Sequence, residues 1–257
     1  VYDNAGKGEL GEAVNGAGGD IIAEFLTNLA VCHGAVVEEK EGEYEYKSQS
    51  PDEEALCEGA KNNGYIFNDR KQEEITVNIN GEDKTFQLLH EIKFSSARAR
   101  MSVVVRHPDG SIRVYSKGAD SKMKPRLAGH VDPELLKTTW DNMDGFSKEG
   151  LRTLILGYKV LSEEEYQAWD EQMTNAQKDM NPETRSKAIE NAADAIEKDF
   201  ELLGSTAIED RLQRDVPSTI HNLLRANIKF WMITGDKQET AENIATSCKL
   251  LKNNTKK

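Results

Sequence analysis

The chain has 257 residues, 37% of them apolar and 7% aromatic, which is lean but sufficient at this length to bury a core. Its formal charge of −12 makes it a poor general binder of nucleic acid or anionic membrane, and no apolar run approaches the ~18 residues of a membrane span. No membrane anchor or signal peptide is therefore expected, and three scattered cysteines (Cys32, Cys57 and Cys248) argue for a reducing compartment and against a disulfide framework or zinc site.

Residues 1–19 hold six glycines and no apolar period, and are expected to form a flexible arm. Asp20 reads as an N-cap, and Ile21, Ile22, Phe25, Leu26 and Leu29 follow at helical spacing, predicting a helix to about Cys32. Residues 43–47 alternate as a strand does. Ser50-Pro51-Asp52-Glu53 predicts a helix start, in which Ser50 caps, Pro51 suits the first turn and Glu53 completes a capping box. Gly64 should end that helix. The middle is β-rich: Ile75, Val77 and Ile79 alternate, Asn80-Gly81-Glu82-Asp83 turns, and 85–94 returns. Strands at 101–106 and 111–117 flank the turn His107-Pro108-Asp109-Gly110, an antiparallel pattern. A helix at 134–148, a buried strand at 151–160, a helix opened by the capping box Ser162–Glu165 and a polar helix at 183–199 follow. From about Leu203 the style changes. A strand at 203–208, a helix at 216–226, an apolar strand at 228–234 and a helix at 237–251 imply parallel strands. That run is too short to close a sheet of its own, and its second strand needs neighbours the chain does not supply. The tail 252–257 is expected to fray.

The charge is unevenly spread. Residues 93–126 carry nine basic side chains and two acids, net +7, which leaves −19 for the remainder. Screening acts over about 8 Å at physiological salt, so a ligand feels the local field, and this segment is either an anion site or a solvated strand face. Lys117-Gly118-Ala119-Asp120 joins a strand to a helix. There Lys117 is a point charge for phosphate and Gly118 admits a ligand to the backbone, or Lys117 is a plain surface lysine. Phe94 ends a strand just before Ser95-Ser96-Ala97-Arg98. It either fills the core or, exposed beside cations, stacks a base for about 1–3 kcal/mol. Glu53 either serves its capping box or accepts from a base amino group. Arg152, in an apolar strand, needs a protein carboxylate or a ligand phosphate. Thr234-Gly235-Asp236 ends a parallel-type strand, where ligands gather in open α/β sheets, and Asp236 reads either as a Mg²⁺ or water holder or as a helix cap.

Taken in order, SPDEEAL at 50–56, FSSARARMSVVV at 94–105, YSKGAD at 115–120, EGLRTL at 149–154, AIEDRLQ at 207–213 and ITGDKQETAEN at 233–243 resemble the P-type ATPases, specifically the phospholipid-translocating branch. SPDE and TGDKQET favour that branch over the cation pumps. The resemblance implies an α+β nucleotide-binding domain at 20–203, an antiparallel sheet flanked by helices. A partial α/β, Rossmann-like phosphorylation-domain segment would follow at 204–257. It further implies ATP and, in the full protein, Mg²⁺, on the cytosolic face of a membrane. Phe94 and Ser95 would meet adenine, with Glu53 at its polar edge. Lys117 and Gly118 would line the pocket, and Arg152 would contact phosphate. Thr234, Gly235 and Asp236 would reach the γ-phosphate and Mg²⁺ when domains close. Implied partners are the remaining phosphorylation, actuator and membrane domains and an accessory subunit, with no nucleic acid. The chain departs from the family pattern in three ways. The Asp-Lys-Thr-Gly-Thr signature of the phosphorylated aspartate and the downstream Gly-Asp-Gly-x-Asn-Asp motif are absent from these residues, and Ala99 stands where the family usually has lysine. ATP binding without sustained turnover is the expectation. A cation-pump nucleotide domain and a non-catalytic interaction module using the acidic stretch 160–201, net −8, are the rival readings.

Overall fold

A computed structural model describes residues 9–16, 18–40, 42–210, 212–235 and 238–251. The first half of the chain runs α1 (Glu9–Ala13), α2 (Gly19–Val31), β1 (Val36–Lys40), β2 (Glu43–Lys47), α3 (Pro51–Asn62), β3 (Tyr65–Lys71), β4 (Glu74–Ile79), β5 (Glu82–Ser95), β6 (Arg100–Arg106), β7 (Ile112–Gly118) and α4 (Asp120–Met123). After a 3-10 turn at Lys124–Arg126 come α5 (Pro133–Lys148), β8 (Arg152–Leu161), α6 (Glu163–Lys178), α7 (Pro182–Ile196), β9 (Glu201–Ile208), α8 (Val216–Arg225) and α9 (Gln238–Ser247). The expected fraying tail and the first eight residues of the expected arm lie outside the described residues. The chain divides into two compact units, 1–131 with 155–204, and 132–154 with 205–257.

In the first unit, β3 to β9 form one sheet in sequence order, and every pairing from β3 to β8 is antiparallel. Central β6 is buried from Arg100 to Val105, so both of its faces are covered. Each fully buried Val or Ile contributes about 1.5–3 kcal/mol. Asn80-Gly81 makes the β4–β5 turn with both residues at positive φ (52° and 94°), the geometry a two-residue hairpin needs. Alternation on β7 sorts its side chains. Tyr115 donates to Glu24 of α2 at 2.5 Å and Lys117 meets Glu53 of α3, while Ser116 between them points the other way, against Ser102. Asn28 of α2 donates to Ser116 O and Gly157 O, pinning that helix across β7 and β8. On the opposite face α6 and α7 pack together, Trp169 donating to Ala192 O at 2.8 Å.

Several sequence expectations change here. Gly18, in the left-handed region, is the N-cap of α2, and Asp20 lies inside its first turn. Strands β1 and β3 carry no strong alternation and were not predicted. Within the glycine-rich arm, α1 forms and Gly11 donates to Asn63 Oδ1 at 2.8 Å. The capping box at Ser162 forms in full, but the one at Ser50 does not. Ser50 is the N-cap of α3 without a side-chain bond, and Glu53 is turned elsewhere.

In the second unit, α5 packs against α9, and Asn243 donates to Lys148 O at 2.9 Å. Both α8 and α9 form as expected, but the strand expected at 228–234 does not. A strand exists only by pairing, and among the described residues no strand ladder forms with this apolar segment; Trp231 is 86% and Ile233 95% exposed. Among the described residues, no helix is long and apolar enough to cross a membrane.

Candidate functional site

The first unit gathers its unusual polar chemistry where α3 crosses the end of β7. Helix α3 buries Leu56, Cys57 and Ala60. Glu53 stands three and four residues before Leu56 and Cys57, so an acid occupies the helix's apolar stripe. Its Oε1 lies 3.2 Å from Lys117 Nζ, an ion contact without hydrogen-bond alignment. Its Oε2 accepts from Gly34 N at 3.2 Å and Ser48 Oγ at 2.9 Å. Burial works against the carboxylate, but Lys117, Ser48 and Gly34 together hold its pKa below the ordinary range. Lys117 is only 5% exposed, and its Nζ faces the Glu53 carboxylate. A buried ammonium is costly unless paired, and three N–H donors turned to one carboxylate oxygen leave capacity for a further acceptor. Cys32 and Cys57 are buried nearby, their thiols pushed up to about 12 chiefly by burial.

Phe94 lies on the neighbouring strand end. The β5–β6 register shifts between Ile92 and Ser95, and Phe94 emerges 61% exposed, which is not a core position. Ser95 pairs with Arg100, and Arg100 with Gly118, so the three form a row across β5, β6 and β7. Two strand spacings of about 4.8 Å place the backbones of Phe94 and Lys117 roughly 10 Å apart. Ser95 shapes the turn, its Oγ accepting from Arg98 N at 3.3 Å and its carbonyl from Ala99 N at 2.7 Å. Ala99 holds a positive φ of 47°, and its carbonyl accepts from Ala119 N at 2.9 Å. Gly118 answers to the chain itself: a Cβ there would stand 2.5 Å from Arg100 Cβ and 2.8 Å from Ala99 O. Together this end offers a flat apolar ring, a buried donor and a carboxylate acceptor. That set suits a planar heteroaromatic ring carrying both acceptors and amino groups.

The remaining cations of the segment are mostly spent within the protein. Arg98 and Arg100 both turn inward to Glu197, which is 0% exposed, and Arg100 also reaches Asp194. They therefore do not stand in for a cation at Ala99. Arg106 pairs with Glu163, Arg113 with Glu24 and Asp109, and Arg126 with Asp194.

Arg152 opens β8, half-buried, in the second unit, where Thr234 and Gly235 are exposed and a Cβ on Gly235 would meet nothing within 4 Å. Asp236 lies outside the described residues, and among those described no cluster of three or more His, Cys, Asp or Glu is placed to hold a metal ion. The sequence reading missed Ser48 and Gly34 as partners of Glu53. A backbone donor leaves no mark in the sequence, whereas the acid on an apolar helix stripe was legible.

Residues 22–215, which include the antiparallel sheet with helices on both faces, match the family model P-type ATPase, cytoplasmic domain N. The chain belongs to the P-type ATPase family. It is 48% identical over 229 residues, 89% of its length, to human phospholipid-transporting ATPase ID. It is 45% identical over 234 residues to phospholipid-transporting ATPase IC of Xenopus tropicalis, and 44% over 234 residues to phospholipid-transporting ATPase DRS2 of Saccharomyces cerevisiae. These alignments take in 91% and 90% of the chain. The chain spans under a fifth of the length of these relatives, 19%, 18% and 17% respectively.

Proposed function

We propose that this chain is the ATP-binding domain, at 20–203, of a phospholipid-translocating P-type ATPase, followed at 204–257 by part of its phosphorylation domain. The observation that carries the reading is the Lys117 ammonium, buried against the Glu53 carboxylate at the same end of the sheet as exposed Phe94. Phe94 stacks the adenine ring, Lys117 donates to a ring nitrogen, and Glu53 accepts from the base amino group. In the complete protein, Arg152 meets phosphate, and Thr234, Gly235 and Asp236 meet the γ-phosphate and a Mg²⁺ ion. The parent chain passes that phosphoryl group to an aspartate and couples the step to lipid movement, with the domain on the cytosolic side of the membrane. Its partners are the remaining phosphorylation, actuator and membrane domains and an accessory subunit. Catalysis of that kind is chiefly positioning and neutralisation of charge, and these residues supply the base-binding part. Neither the cation-pump nor the interaction-module reading is favoured, since the relatives above are named for phospholipid transport.

The test is an NMR titration of ATP into the chain to several millimolar, because millimolar binding is only about −4.1 kcal/mol. Phe94→Ala should weaken binding about 5- to 150-fold, the equivalent of one lost base stack, and Lys117→Ala should abolish it. An unmodified chain that binds no nucleotide, or binding indifferent to both substitutions, sinks the proposal.

A further inference from the structure

We propose that His33 is a positioning residue of the base pocket: its ring fixes the turn leaving α2, and that turn holds Glu53 toward Lys117 through the Gly34 N–H. The inference rests on the nucleotide reading above and adds to it a residue that touches no ligand.

The last carbonyls of a helix have no intrahelical donor. His33 Nε2 lies 2.8 Å from Ala30 O near the end of α2. A carbonyl only accepts, so Nε2 carries the ring's proton and Nδ1 is bare. The ring is completely buried, edge-on to Phe67 with centroids 4.6 Å apart. Burial, and then the nearby Lys117 charge, push its pKa down to about 3, so it is a neutral fixed donor across the physiological range.

Residue 33 is held at a second point. Its carbonyl accepts from Arg70 Nη1 at 2.5 Å, and Arg70 is itself fixed by Glu91 at 3.0 Å. With side chain and carbonyl both anchored, the next N–H in the chain, that of Gly34, has one direction to face, and there it donates to Glu53 Oε2. Ser48 donates to the same oxygen, which leaves Oε1 turned to Lys117. Release of the ring frees the turn, withdraws the Gly34 donor and lets Glu53 swing about Ser48. A side chain that merely filled the core would do none of this.

The experiment compares ATP with ITP, whose hypoxanthine lacks the amino group that Glu53 accepts, using the full 257-residue chain. His33→Leu keeps an apolar filling without the donor, while His33→Gln returns an amide donor to Ala30 O. The Leu variant is expected to lower the ATP-to-ITP affinity ratio about tenfold, the scale of one hydrogen bond to a charged group, and the Gln variant to restore most of it. Without any ligand, the Glu53 carboxyl carbon should titrate at higher pH in the Leu variant than in the parent. A folded Leu variant with the parental ratio and Glu53 titration overturns the inference and leaves the nucleotide reading standing. A parent chain that binds neither nucleotide overturns both. If the Leu variant fails to fold, Arg70→Gln frees the His33 carbonyl from outside the core and should shift the ratio the same way; no shift there overturns the inference equally.

Discussion

Removing the buried carboxylate of Glu197 is the sharpest test of how the pocket's turn is held. Glu197 is fully buried at the C-cap of α7, where it takes Arg98, accepts from Arg100 Nε at 2.8 Å and from Ser102 Oγ at 2.5 Å. In Glu197→Gln, Arg98 keeps only the Lys93 carbonyl at 2.8 Å, and Arg100 keeps Asp194 on a half-exposed side chain. Breaking one side of a buried ion pair costs about 3–5 kcal/mol, because the surviving charge is left desolvated. Arg100's second partner argues for the lower end, about 3 kcal/mol, against a total stability of about 5–15 kcal/mol for a domain. Urea unfolding followed by Trp169 fluorescence reads the first unit directly, with Trp140 and Trp231 replaced by Phe. A loss under about 1 kcal/mol at unchanged denaturant slope would refute the reasoning. If charge burial is the cause, Glu197→Met with Arg98→Met should recover part of the loss, since no Arg98 charge is then left behind and Arg100 keeps Asp194.

Two further outcomes follow from the same contacts. His107 is held down to about 4, chiefly by burial and then by Arg113, and His33 to about 3, so the unfolded chain takes up protons near pH 6.5 that the folded chain refuses. The unfolded state then binds more protons, so stability falls as pH drops from about 6.5 toward 3, by on the order of 3 kcal/mol for His107 alone; urea midpoints that stay flat between pH 7 and 4 would contradict this. Residues 210–251 should exchange amide hydrogen faster than β5–β7, and Trp231 should be quenched by acrylamide far more readily than buried Trp169; equal protection in the two regions would contradict the exposed, non-strand state of 228–234.

Much of the fold was legible because its signals are local. The alternation of Ile75, Val77 and Ile79 and the Asn80-Gly81 turn specify a hairpin without reference to anything distant. The failures are of two physical kinds. A strand such as 228–234 reads correctly as apolar and β-forming, but it becomes a strand only through a partner. The capping box at Ser50 fails although the one at Ser162 forms with the same spacing, because Glu53 has a stronger tertiary alternative in Lys117, Ser48 and Gly34. That failure is informative: Glu53 gives up a local bond for a pocket. Phe94 likewise reads on its own more readily as core than as surface, and only the shifted register of β5 against β6 brings it out.

The basic segment shows how far net charge misleads when read from sequence. Of its nine cations, Arg98, Arg100, Arg106, Arg113, Lys117 and Arg126 face protein carboxylates. Lys93 and Lys122 are exposed with no carboxylate partner among the described residues. The apparent +7 field is therefore largely neutralised before any ligand arrives. Under the nucleotide reading, a phosphate tail meets little fixed positive charge in the first unit, and recognition falls on the base: one stack, one buried donor and one acceptor. Ala99 fits this economy of charge. It sits at the turn between Arg98 and Arg100, both of which point inward, and offers no cation of its own. Under that same proposal, binding should be weak and discriminate strongly between bases, with the Glu53–Lys117 pair setting selectivity.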